Sequence, residues 1–303
     1  MQRAFLIGNV AIDEVFRVGS VPSLGQSVLG RRSLIGLGGK GANQAVALSR
    51  TGVRTTLVAA LGDDSQGGQA RQALAREECL IPVLITRPNI PSDRSIIMTG
   101  EDGGNAILTT NDCARSLTIA DCWLHLTTAQ PGDVVLLQGN LDLDVTATIV
   151  ERCRAAQLKV VLNPSPVDPA FSKLVSQTTA VFVNETEAQA LTGLTGRNAL
   201  AALLKEGAQQ VVLTLGADGA LLGSKTEILH IPAIPTKVMD ATGAGDCFEA
   251  VAIGSSLMRQ QWLDANAIRH ATKAAAQSVR RLGATDALPS ADDLSAILAD
   301  AGA

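Results

Sequence analysis

An acidic residue placed just inside a glycine turn that opens an apolar helix is the feature of this sequence with the clearest chemical content. It lies in Asp240-Ala241-Thr242-Gly243-Ala244-Gly245-Asp246-Cys247-Phe248. Gly243 and Gly245 leave room for a phosphate to approach the backbone. The unpaired amides and positive dipole end of the helix that follows, read over 249–258, attract it. Asp246 would repel a ligand held by a plain phosphate cradle. Its charge makes sense where it faces a hydroxyl that attacks a phosphate bound by the amides, the division of labour that phosphoryl transfer requires. Taken alone, the turn reads equally as an ordinary helix start with an acidic first turn.

A second glycine-rich run, Gly36-Leu37-Gly38-Gly39-Lys40-Gly41-Ala42-Asn43-Gln44, opens an Ala-rich helix. Gly36, Gly38 and Gly41 formally match G-x-G-x-x-G, but the run does not follow the first strand of a βαβ unit, as a dinucleotide site requires. Nor is it a P-loop, since Gly41 follows Lys40 and Leu34 stands where the first glycine belongs. What remains is a tight turn that brings amides, Lys40 and Asn43 to one place, and Asn43 has both the donor and the acceptor that sugar hydroxyls need. Asp13, read at the end of the first strand, suits two hydroxyls of a polyol or, equally, local amides. Asn184-Glu185-Thr186-Glu187 has acids placed to hold magnesium-bound water near phosphates, or is simply a capped helix start. Thr214-Leu215-Gly216-Ala217-Asp218-Gly219 reads as a nucleotide-contacting loop or a plain hairpin turn.

These residues need a frame, and composition indicates which. Of 303 residues, 46% are hydrophobic, with five Phe, two Trp and no Tyr. The core therefore falls to Val, Ile, Leu and Ala, as in buried parallel strands packed by helices. A net charge of −4 with no basic stripe argues against nucleic acid. Cys79, Cys113, Cys122, Cys153 and Cys247 form no CxxC pair, which fits reduced thiols in a cytoplasmic protein. The three histidines are far apart, so no protein-built zinc site is expected. The first strand is entered without a basic region, a cleavable apolar segment or a bilayer-length span, and no membrane partner is expected.

Strand-like runs at 4–8, 55–60, 133–138, 159–163, 180–184 and 210–215 alternate with helical patterns at 41–52, 144–156 and 185–191, and a last short helix is read at 290–303. That alternation predicts an α/β fold with a mainly parallel sheet, helices on both faces, and ligands outside the carboxyl ends of the strands. Two segments, 15–34 and about 92–109, instead show short alternating runs with turn signals, among them Asp102-Gly103-Gly104-Asn105. They are expected to pair into a small β-sheet lid over one edge of a single domain spanning 1–303.

Together and in this order, these residues resemble the ribokinase-like (PfkB-type) family of sugar kinases, over essentially the whole chain. The two signatures are matched by Gly38-Gly39-Lys40-Gly41-Ala42-Asn43-Gln44-Ala45 and by 240–246, and the first is most similar to that of the ribokinases. Asn163-Pro164 and Gly283-Ala284 also fall in family order. The resemblance implies a three-layer sandwich with a β-sheet lid. It implies Asp246 as catalytic base and Gly243, Ala244 and Gly245 as the anion hole. Asp13, Gly39, Lys40 and Asn43 match sugar-site positions, and Asn140 stands at a further one. Asn184, Thr214, Gly216, Gly219 and Thr272 match nucleotide-site positions, and Glu187 ends a magnesium-associated N-x-x-E motif. Asp240, Thr242, Ser278, Arg281, Gly283 and Ala287 match a potassium site that orders the anion-hole loop. ATP with magnesium, a potassium activator and a homodimer paired through the lids are implied as well.

Departures from the pattern bear on the acceptor. Ala11 stands where ribokinases usually carry Asn, and Asn140 where they carry a sugar-binding Glu; Ala241 replaces a Thr. Ribose is the first expectation. A sugar phosphate would draw on Arg31, Arg32 and Arg94 in the lid segments. Phe16 is the sole aromatic there, which argues against a nucleoside acceptor. Retention of Asp246 beside Gly243-Ala244-Gly245 argues against a binding protein without catalysis.

Overall fold

Alternation along the first strand divides its residues between two cores. Ala4 and Leu6 join one apolar cluster while Phe5 and Ile7 join another on the opposite face. The computed structural model describes residues 2–101 and 105–300, so the predicted turn at 102–104 lies outside the described residues. Its strands are β1 (Ala4–Ile7), β2 (Ala11–Val18), β3 (Gly30–Gly38), β4 (Thr55–Gly62), β5 (Leu80–Arg87), β6 (Asp93–Gly100) and β7 (Asn105–Thr109). There follow β8 (Val134–Gln138), β9 (Lys159–Asn163), β10 (Ala180–Asn184), β11 (Gln210–Thr214), β12 (Ala220–Ser224) and β13 (Ile228–Ile231).

Nine of these form one sheet in the order β13-β12-β11-β10-β9-β8-β1-β4-β5. Only β12 runs against the rest, joined to β11 by the turn through Gly216–Asp218. The helices Lys40–Arg50, Ser65–Leu74, Ala244–Arg259, Ala265–Ser278 and Ala291–Ala299 cover one face. Ile119–Leu126, Leu143–Ala155, Glu185–Thr192 and Gly196–Lys205 cover the other, giving helices, sheet and helices in three layers. Among the described residues no helix is long and apolar enough to cross a membrane.

The second sheet, β3-β2-β6-β7, is the lid, with β2 and β6 parallel at its centre. It reaches closer to the body than the predicted segments: β2 begins at Ala11 and β3 ends at Gly38. Its root is fastened by Asp64, which accepts from the amide and the hydroxyl of Ser92 (2.8 and 2.7 Å). The buried Asp93 accepts from the amides of Cys113 and Ala114 (3.1 and 3.0 Å), and burial pushes its pKa up to about 6.

Two helices of one layer meet closely. An added Cβ at Gly254, in Ala244–Arg259, would lie 2.4 Å from Oγ1 of Thr51, the residue that ends Lys40–Arg50. The missing side chain therefore sets how near the two helices approach. Gly254→Val is expected to cost about 1–3 kcal/mol through overpacking. Urea unfolding would show this as a lower midpoint at unchanged slope.

Candidate active site

Gly243 adopts φ 75°, a left-handed conformation that suits glycine, and caps a helix that begins at Ala244, five residues before the start read from sequence. Asp246 sits within the first turn, where the sequence places it. The amides of Gly243, Gly245 and Asp246 donate to no protein acceptor among the described residues, as first-turn geometry dictates. Space is open in front of Gly245, where a Cβ would meet nothing within 4 Å. The turn thus presents free donors and a dipole's positive end beside a carboxylate.

That carboxylate is 6% exposed and is held from the Lys40–Arg50 helix. Asn43 Nδ2 donates to Asp246 Oδ2 (3.0 Å), Gln44 Nε2 donates to Oδ1 (3.1 Å), and Lys40 Nζ stands 3.6 Å from Oδ1. Gly39, at φ 88°, turns the chain into that helix, and its neighbour Gly41 passes so close to Asn9 that a Cβ would lie 2.5 Å from the Asn9 carbonyl oxygen. Asn43 is engaged at both ends of its amide, because its Oδ1 accepts from the Thr285 hydroxyl (2.6 Å). Gln44 Nε2 also donates to Glu249 Oε2 (3.2 Å), while Gln138 Nε2 donates to Gln44 Oε1 (2.7 Å). One buried amide is thereby shared by two carboxylates on the same helix. Burial first, then the neighbouring Asp246, pushes the Glu249 pKa well above its usual value, against the opposing effect of Lys40. For Lys40, burial opposes the charge, but Asp246, Glu187 and Glu249 outweigh it and raise the pKa.

Asp13 lies within the lid strand β2, not at the end of the first strand as read from sequence. It faces Gly36 and Ser95 across the ladder. Its carboxyl carbon occupies the space of a missing side chain at Gly38, 2.1 Å from the Cβ position. Oδ1 is buried without a partner, and burial raises the pKa to about 6, with a lowering contribution from the Ser95 hydroxyl and further raising by Asp246 and Asp240. Asn140 Nδ2 donates to Asn9 Oδ1 (3.0 Å), which also accepts from the Gly41 amide (3.2 Å), so Asn140 braces the turn below Asp13. Of the lid arginines, Arg32 and Arg94 both pair with Glu14. Glu14 adjoins Asp13 in β2 and so points to the opposite face of the lid.

The loop before the glycine turn is laced to the segment after Ala265–Ser278. Asp240 accepts from the amides of Thr242 (2.9 Å) and Gly283 (3.0 Å), and Met239 N donates to Val279 O (2.7 Å). Arg281, Gly283 and Ala287 belong to this same segment, and Ser278 is the last residue of the helix before it. Asn184 and Glu187 form a reciprocal cap: Glu187 N donates to Asn184 Oδ1 (2.8 Å) and Asn184 N to Glu187 Oε2 (3.0 Å). Thr214 ends β11, and Gly216 and Gly219, at φ 57° and 95°, shape the hairpin turn after it. The Thr272 hydroxyl donates back to Ile268 O (2.6 Å) within its helix. Among the described residues no group of three or more His, Cys, Asp or Glu side chains has metal-holding geometry.

Sequence reading assigned no role to Gln44, Glu249, Thr285 or Asn9. The available signal for Glu249 was its place three residues after Asp246 in a helix, hence on one face with it.

The model of the "pfkB family carbohydrate kinase" matches residues 1–291. The ribokinase of Bacillus subtilis is 30% identical over 303 residues, covering 98% of this chain and 100% of its own. The solved ribokinase of Thermotoga maritima superposes with a TM-score of 0.88 at 25% identity, covering 98% of this chain and 99% of its own. The Arabidopsis thaliana ribokinase, solved with ribose and ATP, gives 0.86 at 25% identity with 99% of both chains covered. The fold is ribokinase-like.

The raised Glu249 pKa carries a stability consequence. The folded state holds this proton more tightly than the unfolded state. Its contribution is full below the ordinary value of 4.5 and is lost as pH climbs toward the folded pKa. Glu249→Gln, which cannot ionise, is therefore expected to gain stability over the parent between pH 5 and pH 8, read by urea unfolding at each. A constant difference across that range would refute the assignment.

Proposed function

We propose that this chain, which belongs to the pfkB family of carbohydrate kinases, transfers the γ-phosphate of ATP to a primary hydroxyl of a small sugar, D-ribose first. The observation that carries the reading is Asp246 fixed by Asn43, Gln44 and Lys40 beside free first-turn amides. Asp246 accepts the acceptor's hydroxyl proton as the bond to phosphorus forms. The main chain of Gly243, Ala244 and Gly245 stabilises charge on the transferring group. Asp13, Gly39, Lys40, Asn43 and Asn140 serve the sugar side. Asp13 supplies the free oxygen, whereas Asn43 and Asn140, engaged with protein partners, act by orienting Asp246 and the turn.

Asn184, Thr214, Gly216 and Gly219 border the nucleotide at the strand ends, and Thr272 does so from the helix Ala265–Ser278. Glu187 fits a magnesium ion that keeps most of its waters and is held chiefly by phosphates, since one of its oxygens is already spent on the cap. The ion, when bound, neutralises phosphate charge. The loops carrying Asp240, Thr242, Ser278, Arg281, Gly283 and Ala287 offer main-chain carbonyls to potassium, and Asp240 ties them together. Support for ribose comes from the relatives' names and from the Arabidopsis complex. The pairing of Arg32 and Arg94 with Glu14 speaks against a sugar-phosphate acceptor.

Exposed Leu24, Leu29, Ile107 and Leu108 on the lid support a homodimer paired through it. Five free cysteines support a cytoplasmic setting. Coupled ADP release with ATP and a panel of pentoses, hexoses, sugar phosphates and nucleosides, with and without potassium, tests the whole reading. Acceptor-dependent ADP from none of them would overturn it. Asp246→Asn is expected to lower kcat by roughly 10²–10⁴-fold with ATP affinity little changed; near-normal turnover would remove Asp246 from the chemistry. Asp13 must be ionised to accept two hydroxyls. The acceptor's kcat/KM should therefore fall as pH drops through about 6, and in Asp13→Asn that acid limb should vanish from an already weakened profile.

A further inference from the structure

β3 carries two glycines on one face, and each gap holds a carboxylate. At Gly38 the occupant is Asp13. At Gly36 it is Asp286, whose Oδ2 lies 2.9 Å from the position of a Cβ. Gly36 is directly opposite Asp13 in the ladder. Facing positions of this kind have Cβ sites about 4.5–5.5 Å apart. Asp286, arriving from the loop after Gly283, and Asp13 therefore fill neighbouring gaps, two residues apart, on one face of β3. Asp13, Val15, Gly36, Ile97, Asp240 and Asp286 line a single narrow pocket between lid and loop, and no Lys or Arg lines it.

The hydrogen-bonding capacity of this pocket is unevenly spent. Asp240 gives both oxygens to backbone amides, while Asp13 is 6% exposed and leaves Oδ1 unpaired. Asp286 accepts no hydrogen bond among the described residues and keeps contact with solvent. Lys40 is committed to Asp246, and Arg32 and Arg94 lie on the lid's other face. Two carboxylates with free acceptors call for hydroxyl donors, flanked here by the apolar sides of Val15 and Ile97. A phosphate brings acceptors and like charge instead.

Resting on the sugar-kinase reading above, we propose that Asp286 is a specificity-determining residue: paired with Asp13, it takes hydroxyls at the lid end of a neutral, polyhydroxylated acceptor and rejects acceptors already phosphorylated. Asp286 touches the acceptor rather than the reacting atoms, so its effect falls on KM and not on kcat.

The test uses the full chain with Asp286→Ala and Asp286→Asn, assayed with the neutral sugar the parent phosphorylates best and with a phosphorylated counterpart. Asp286→Ala is expected to raise the neutral sugar's KM about ten-fold, the lower end for a hydrogen bond to a charged group. kcat and the KM for ATP should stay within about two-fold. Asp286→Asn, which keeps shape and loses charge, should raise KM less and narrow the preference over the phosphorylated sugar. An unchanged sugar KM in both variants overturns the proposal, as does a fall in kcat at constant KM, which would mark a structural role for the loop. A parent that prefers a phosphorylated acceptor overturns it while leaving the kinase reading intact. A parent that phosphorylates nothing sinks the kinase reading instead. The proposal is then decided by calorimetric titration of D-ribose into parent and Asp286→Asn, where equal affinity or no binding rejects it. Urea midpoints of both variants separate lost binding from lost fold.

Discussion

A buried carboxylate has to be surrounded by donors, and meeting that requirement at Asp246 organises most of the site. The donors come from a helix some two hundred residues earlier in the chain, through Asn43, Gln44 and Lys40. They reach Asp246 because Lys40–Arg50 and Ala244–Arg259 pack closely, an approach that Gly254 permits beside Thr51. Two of these donors are themselves held: Asn43 by Thr285, Gln44 by Gln138. Gly8 belongs to the same chain of dependence, since a Cβ there would lie 1.9 Å from Gln138 Oε1. The orientation of one carboxylate is thus fixed by residues from five separate stretches of sequence.

The lid solves a different problem with the same economy of side chains. Its inner face must be open enough to admit a ligand and yet present polar groups, and glycines at 36 and 38 supply the openings that Asp13 and Asp286 fill. The outer face keeps its charges to itself, with Glu14 between Arg32 and Arg94. Strand alternation alone separates these two chemistries, one residue apart in β2. Asp64 and Asp93 then anchor the root of the lid, so that the face carrying Asp13 is held over the glycine turn.

Much of this frame was legible in the sequence because buried parallel strands read as short apolar runs and their helices as periodic ones. The six strands expected at 4–8, 55–60, 133–138, 159–163, 180–184 and 210–215 are all present. β5 was not read: Leu80–Ile85 is an apolar run, but Pro82 within it argues against a strand, and its place at the edge of the sheet is what tolerates the proline. β12 and β13 were hidden by their shortness and by Gly223, which makes way for Leu200. Asp13 was placed one strand too early because Gly8-Asn9-Val10 is apolar enough to continue a strand, although the backbone breaks there. Within the site, residues near a glycine signature were visible, whereas Glu249 and Thr285 were not. Their significance lies in contacts to Gln44 and Asn43 that only folding creates.

Glu249 also bears on how the site tolerates so much acid. Asp13, Asp240, Asp246 and Glu249 lie close enough that full ionisation of all four would be costly. The structure relieves this in three ways that differ by position. Asp240 accepts from two backbone amides, Asp246 is surrounded by side-chain donors and Lys40, and at Glu249 burial and then Asp246 disfavour the charged form. Asp13 is the exception, with burial and two neighbouring carboxylates raising its pKa and one oxygen left unpaired. Gln138 Oε1 and Glu249 Oε1 are buried without partners as well, but of the three only Asp13 Oδ1 belongs to a residue lining the pocket between lid and loop, where, on the proposed function, an acceptor hydroxyl would complete it. The cost of burying that carboxylate is therefore concentrated beside the proposed acceptor site.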